Sequence, residues 1–337
     1  MRINTMRAFL IICGLMLAAQ PMATANGANI VGIAAMGASE TEGDTYDGSW
    51  VPYLANQRGL NFGPNQSYNV AIGGSDSSDL LAEGQDTKVA GFVAANEVNL
   101  AFLTVGGLDF PPVATQILNH TLNTSAFVNQ VTGNITTAVD TVLAAGPTKM
   151  IVLGVPDMSL TGGGQATLTT PALRQPVVSL VDQVNATLKP EILGRGQVYV
   201  DFAGLMRSWS AQPLVIGGVT IDTKDEGSAP TDLWLNDLHV AVVGNAIFAN
   251  LMLSAINKEY GTAYPLFSDQ FILQTAGLSS SYSGETSHID YSSFVYLPAP
   301  EPSSLVLALL AALGIASGLW RTRSVRGVET RTVISRA

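Results

Sequence analysis

Short apolar runs and longer amphipathic stretches alternate along most of the chain. Residues 30–35, 68–72, 100–105, 150–155 and 197–201 are brief and apolar, as strands buried on both faces are. Residues 50–57, a stretch beginning at Ser77, residues 127–145 and residues 171–193 carry apolar positions at helical spacing. Residues 240–256 form a last, strongly apolar helix. Strands of this kind separated by helices predict an α/β domain: a parallel sheet of five strands covered by helices on both faces. Gly162-Gly163-Gly164 reads as a loop, and residues 261–299, Ser- and Tyr-rich over 279–293, as an extension or spacer. There is no internal repeat.

The two ends carry a different pattern. Residues 1–25 have Arg2 and Arg7, then an apolar stretch from Ala8 to Ala19, then Ala23-Thr24-Ala25, which together read as a secretory signal peptide. The only cysteine, Cys13, lies inside it, so disulfides, thiolate metal sites and cysteine nucleophiles drop out of the mature chain. Near the other end Pro300-Glu301-Pro302 precedes an uncharged apolar run, residues 303–320, and then Arg321, Arg323 and Arg326. About 18 apolar residues nearly cross a bilayer core, and the arginines would hold the tail (residues 327–337) in the cytoplasm. Residues 300–326 resemble the PEP-CTERM sorting signal of Gram-negative bacteria. That resemblance implies transient inner-membrane anchoring and then processing by an exosortase-type enzyme, after signal peptidase has removed the leader.

Composition narrows the choice further. Of 337 residues 47% are hydrophobic and 12% charged, so the bulk is not disordered. Sixteen basic against 26 acidic residues, a formal net of −10, argue against nucleic acid as a partner. Losing both ends removes seven arginines and one glutamate and takes the net to about −16, which suits a soluble exported domain. Three scattered histidines without ligand spacing offer no metal site, and neither a dinucleotide fingerprint nor a phosphate-binding loop occurs, so no cofactor is expected.

Ligands of open parallel sheets bind beyond the carboxyl ends of the strands. Four segments stand there or close by. Gly37-Ala38-Ser39-Glu40-Thr41 follows the first strand, Gly73-Gly74-Ser75-Asp76 the second, and Gly106-Gly107-Leu108-Asp109 the third, while Asn236-Asp237-Leu238-His239 precedes the last helix. Together, from about residue 30 to 258, they resemble the GDSL-type SGNH hydrolases, esterases and lipases with a three-layer flavodoxin-like fold and a serine–histidine–aspartate triad. The resemblance implies Ser39 as nucleophile and His239 as base. It implies an oxyanion hole from the backbone N–H groups of Ser39 and Gly74.

Two positions depart from the family pattern. Leu108 replaces an asparagine that donates to the oxyanion, a loss typically worth roughly 10²–10³ in turnover. Asn236 replaces the triad aspartate and is expected to favour the wrong histidine tautomer, at about 10⁴. Asp232 or Asp237 would orient His239 instead if the loop rearranged.

The chain is thus expected to be a signal peptide (1–25), an SGNH-like domain (26–260) with strand order 2-1-3-4-5, an extension (261–299) and a sorting tail. Its expected function is hydrolysis of acyl or acetyl esters on extracellular carbohydrate or lipid, the substrate being a small-molecule or polysaccharide ester. The alternative is a degenerate, inactive domain of this type that serves as a cell-surface or matrix binding protein. Either would act in the periplasm, outside the cell or on its surface.

Overall fold

The computed structural model describes residues 29–299 apart from 44, 46, 47, 228 and 288. The expected signal peptide, the Pro300-Glu301-Pro302 motif, its apolar run and the arginine tail lie outside the described residues. Among the described residues no helix is long and apolar enough to cross a membrane.

The central sheet has the order β1 (Ile33–Gly37), β2 (Leu100–Thr104), β3 (Lys149–Leu153), β4 (Val198–Val200) and β8 (Val295–Tyr296). The first four are parallel, in register Ile33 to Leu100 to Lys149 and Ile151 to Val198. Side chains alternate across a pleated strand, so each strand feeds two cores. Ile33, Ala35, Leu100, Phe102, Ile151 and Leu153 pack on one face against Trp50, Tyr53 and the helix Val242–Tyr260. Ala34, Met36, Ala101, Leu103, Met150 and Val152 face the helices Gln85–Ala94, Thr124–Ala144 and Pro171–Gly194 on the other. The three-layer α/β architecture predicted from the pattern is present.

The edges of the sheet differ from expectation. Residues 68–72 do lie beside β1: Val70 N–H donates to Ala35 O at 2.8 Å and Ile72 N–H to Gly37 O at 3.1 Å. Only Ala35 and Asn69 form a ladder pair, however. The Asn69 side chain binds Thr41 O and Ala71 N–H, and Gly73-Gly74 then turns the chain away. The fifth strand is β8, antiparallel to β4 through Tyr199–Tyr296 and Val200–Val295.

The spacer reading of residues 261–299 is corrected by the same pairing. Phe267, Ile272, Leu273, Tyr291 and Val295 are buried in the core under the helix Val242–Tyr260. Residues 261–298 belong to one compact unit with the sheet. Of these buried residues only Tyr291 lies inside the serine-rich stretch 279–293; the others flank it, in and before the helix Asp269–Thr275 and in β8. A small second sheet, β5 (Leu214–Ile216), β6 (Val219–Glu226) and β7 (Asp232–Trp234), was not foreseen. It carries the loop with His239.

The chain leaves β1 for residues 68–72 on one side and then crosses to β2 on the other. The switch in direction falls at the carboxyl end of β1, where Gly37, Ala38 and Ser39 turn into the short helix Ser39–Glu42. Position 37 has to be glycine: φ is +152°, and a Cβ there would fall 2.2 Å from both Thr104 O and Thr104 Oγ1.

Candidate active site

Ser39 opens the helix Ser39–Glu42, with Ala38 as its extended N-cap. His239 comes from the far end of the domain. The loop between β7 and the helix Val242–Tyr260 is closed by Leu235 N–H to His239 O at 2.8 Å and Ala241 N–H to Leu233 O at 2.7 Å. Gly163 N–H to Asp237 O, 2.9 Å, ties its tip to the 158–168 segment. This places His239 Nε2 2.7 Å from Ser39 Oγ, 200 residues away in sequence.

Asn236 completes a line of three. Its Oδ1 lies 2.9 Å from His239 Nδ1 and also accepts the N–H groups of Leu238 (3.1 Å) and His239 (3.0 Å). Two backbone donors require the carbonyl oxygen, not the amide nitrogen, to face the ring. The ring then donates Nδ1–H to Asn236 and turns the lone pair of Nε2 to the serine hydroxyl. That is the tautomer a general base needs. The expected wrong-tautomer penalty is therefore corrected: backbone geometry fixes the orientation of the amide. Neither aspartate does this work. Asp232 accepts Ala229 N–H at 2.9 Å. The Asp237 carboxylate meets Glu226, whose carboxyl is raised by desolvation and then by the hydrogen bond and the charge of Asp237.

The oxyanion side is less complete. Gly73-Gly74 lies beside Ser39: a Cβ on Gly73 would sit 3.5 Å from Ser39 Cβ. Glu42 Oε2 holds this turn by accepting Gly73 N–H at 2.8 Å. Gly74, at φ +89°, is exposed, and among the described residues its N–H has no hydrogen-bond partner. Leu108 lines the cavity in front of Ser39 as an apolar wall. Asp109 turns away, accepting Ser77 N–H (3.0 Å) and Ser77 Oγ–H (2.7 Å) and so anchoring the helix Ser77–Ala82. Burial raises its carboxyl to about 6 against those hydrogen bonds.

Sequence reasoning missed Glu40. It is half-buried in the wall of the same cavity, which measures about 90 Å³. Desolvation raises its carboxyl to about 7, while its own N–H, the Thr104 hydroxyl and Ala38 N–H pull the other way. The signal was a charged residue directly after the expected nucleophile. His120 is exposed at φ +55°. Among the described residues no cluster of three metal-ligating side chains occurs.

No protein-family model and no curated protein matches the chain. The solved structures it is similar to include three hydrolases. One is a catalytic mutant of an acetylxylan esterase from Geobacillus stearothermophilus, with 15% identity over 69% of this chain and 94% of that one and a TM-score of 0.41. Another is phospholipase A1 from Streptomyces albidoflavus, with 19%, 65%, 95% and 0.43 in the same order. The third is an extracellular lipase from Streptomyces rimosus, with 20%, 51%, 80% and 0.38.

Proposed function

We propose that the protein hydrolyses carboxylic esters, with Ser39 as nucleophile and His239 as general base and acid. The supporting observation is the hydrogen-bonded line Asn236 Oδ1–His239 Nδ1 and His239 Nε2–Ser39 Oγ, at 2.9 and 2.7 Å. Such a pair lets imidazole take the hydroxyl proton as oxygen attacks.

Ser39 Oγ bonds to the ester carbonyl carbon while its proton passes to His239 Nε2. The carbonyl π electrons move onto oxygen, which faces the N–H groups of Ser39 and Gly74. The intermediate collapses, the C–O bond to the alcohol breaks, and His239 returns the proton to the departing oxygen. Water then attacks the acyl-serine and gives a proton to His239. Collapse releases the acid, and the proton goes back to Ser39. Asn236 holds the ring throughout. The deciding assay is p-nitrophenyl butyrate hydrolysis by the purified chain and by Ser39→Ala, His239→Ala and the double variant. Each single change should remove turnover nearly as fully as both, because nucleophile and base act as a unit. Activity surviving Ser39→Ala would reject the serine mechanism.

We further propose that the enzyme works outside the cytoplasm and reaches the surface by a PEP-CTERM route. Support comes from Ala23-Thr24-Ala25 behind an apolar stretch and from Pro300-Glu301-Pro302 ahead of an apolar run and arginines.

A further inference from the structure

Next to the small cavity at Ser39 lies a groove of about 290 Å³, and the two share Met158, Thr161 and Leu238. Its walls include Phe110, Pro111, Ile117, Leu118, Leu168 and Val177; apart from Thr161, Thr167 and Asp237 the lining is apolar or glycine. We propose that this groove holds a linear hydrocarbon chain of the ester, so that the protein selects lipid-like esters by chain length. This rests on the ester-hydrolase reading.

Three observations carry it. The groove is the larger of the two spaces and adjoins the small cavity that contains Ser39 and His239, so a chain lying in it leads toward the serine. Two of its three polar wall residues are already engaged, Asp237 by Glu226 and Thr161 by backbone groups of its own turn. Thr161 Oγ1 donates to Met158 O and accepts Gly164 N–H, both at 3.1 Å, which leaves little to pair with the hydroxyls of a sugar. The wall is also braced. Asp157, 1% exposed, pairs with Arg207 Nε at 2.6 Å and accepts Ser159 N–H and Oγ–H, which pins the Met158–Leu160 turn. Leu238, which lines both spaces, is 38% exposed beside His239, an apolar rim suited to a chain entering from a lipid phase.

The chain could belong to the acyl group or to the alcohol, so the test has two arms on the purified protein: p-nitrophenyl acetate to octanoate, and ethyl to octyl acetate. Each added methylene that enters the groove should raise kcat/KM roughly three- to fourfold. In at least one arm the octyl-to-short ratio should exceed about tenfold. Ala114→Trp and Thr167→Trp, at exposed wall positions, should bring that ratio close to one. Ratios that both tryptophans leave unchanged, or a preference for the shortest ester in both arms, would overturn the proposal.

Calorimetry with 1-octanol on Ser39→Ala gives a readout that needs no turnover. Binding that Ala114→Trp abolishes supports the groove even if no ester is cleaved, in which case only the esterase reading falls. Turnover without chain dependence, together with no octanol binding, removes the groove and leaves the esterase.

Discussion

Asn236 is the position where structure and family pattern disagree most usefully. Turning its amide over would set NH₂ against Leu238 N–H and His239 N–H, now accepted at 3.1 and 3.0 Å. Two lost hydrogen bonds at this exposed site cost about 2 kcal/mol, so the productive orientation dominates by roughly thirtyfold. Asn236→Ala removes the partner of His239 Nδ1–H and frees the ring. A hydrogen bond of this kind contributes about 1–3 kcal/mol, or roughly ten- to a hundredfold in kcat. Asn236→Asp keeps all three acceptor contacts and adds a charge about 4 Å from the imidazolium that forms in the transition state. Coulomb's law gives about 1 kcal/mol in water and about 4 at an effective dielectric of 20, and Asn236 is exposed, so about 1–2 kcal/mol is expected. That is a gain of roughly five- to thirtyfold.

Steady-state kcat on p-nitrophenyl butyrate for the three proteins measures this order, Asp above Asn above Ala. Nitrogen NMR of His239 in the wild type should show the proton on Nδ1. An alanine variant as fast as wild type, an aspartate variant slower than it, or a proton on Nε2 would each refute the idea that backbone-fixed amide geometry selects the tautomer.

Glu40 makes stability depend on pH. Its folded carboxyl is raised from 4.5 to about 7, so stability present below pH 4.5 is lost as pH rises through about 7. Glu40→Gln should therefore melt higher than wild type at pH 8, by up to about 3 kcal/mol and less where water reaches the carboxyl, and equally at pH 4. Wild type and variant alike should keep a slope up to about pH 6 from Asp109, and identical melting profiles would refute the burial of Glu40. Leu108→Asn should raise kcat by roughly tenfold or more by supplying the missing donor. A lower melting temperature with no gain in kcat would mean that the oxyanion does not reach position 108. Intact mass of protein from the native cell should correspond to a start near Asn26 and loss of the segment after Pro302, and a full tail on the extracellular form would exclude sorting-linked cleavage.

The layers of the fold were legible in the sequence because burial leaves a period. Strands covered on both faces must be apolar throughout, so β1 to β4 stood out as short runs, and the helices between them showed their stripes. Ser39 and His239 were singled out for a different reason: the four motifs around them, in their order along the chain, resemble those of a known hydrolase family. Other features depended on neighbours that are remote in sequence. Whether residues 68–72 or Val295–Tyr296 complete the sheet turns on what each edge meets, since a strand exists only by pairing. The role of Asn236 turns on which of its two nearly identical faces meets backbone N–H, and residue type alone does not record that. The ionisation of Glu40 and the groove beyond Met158 likewise belong to no single segment. Desolvation and cavity shape arise only when β2, the 158–168 segment and the His239 loop are brought together in space.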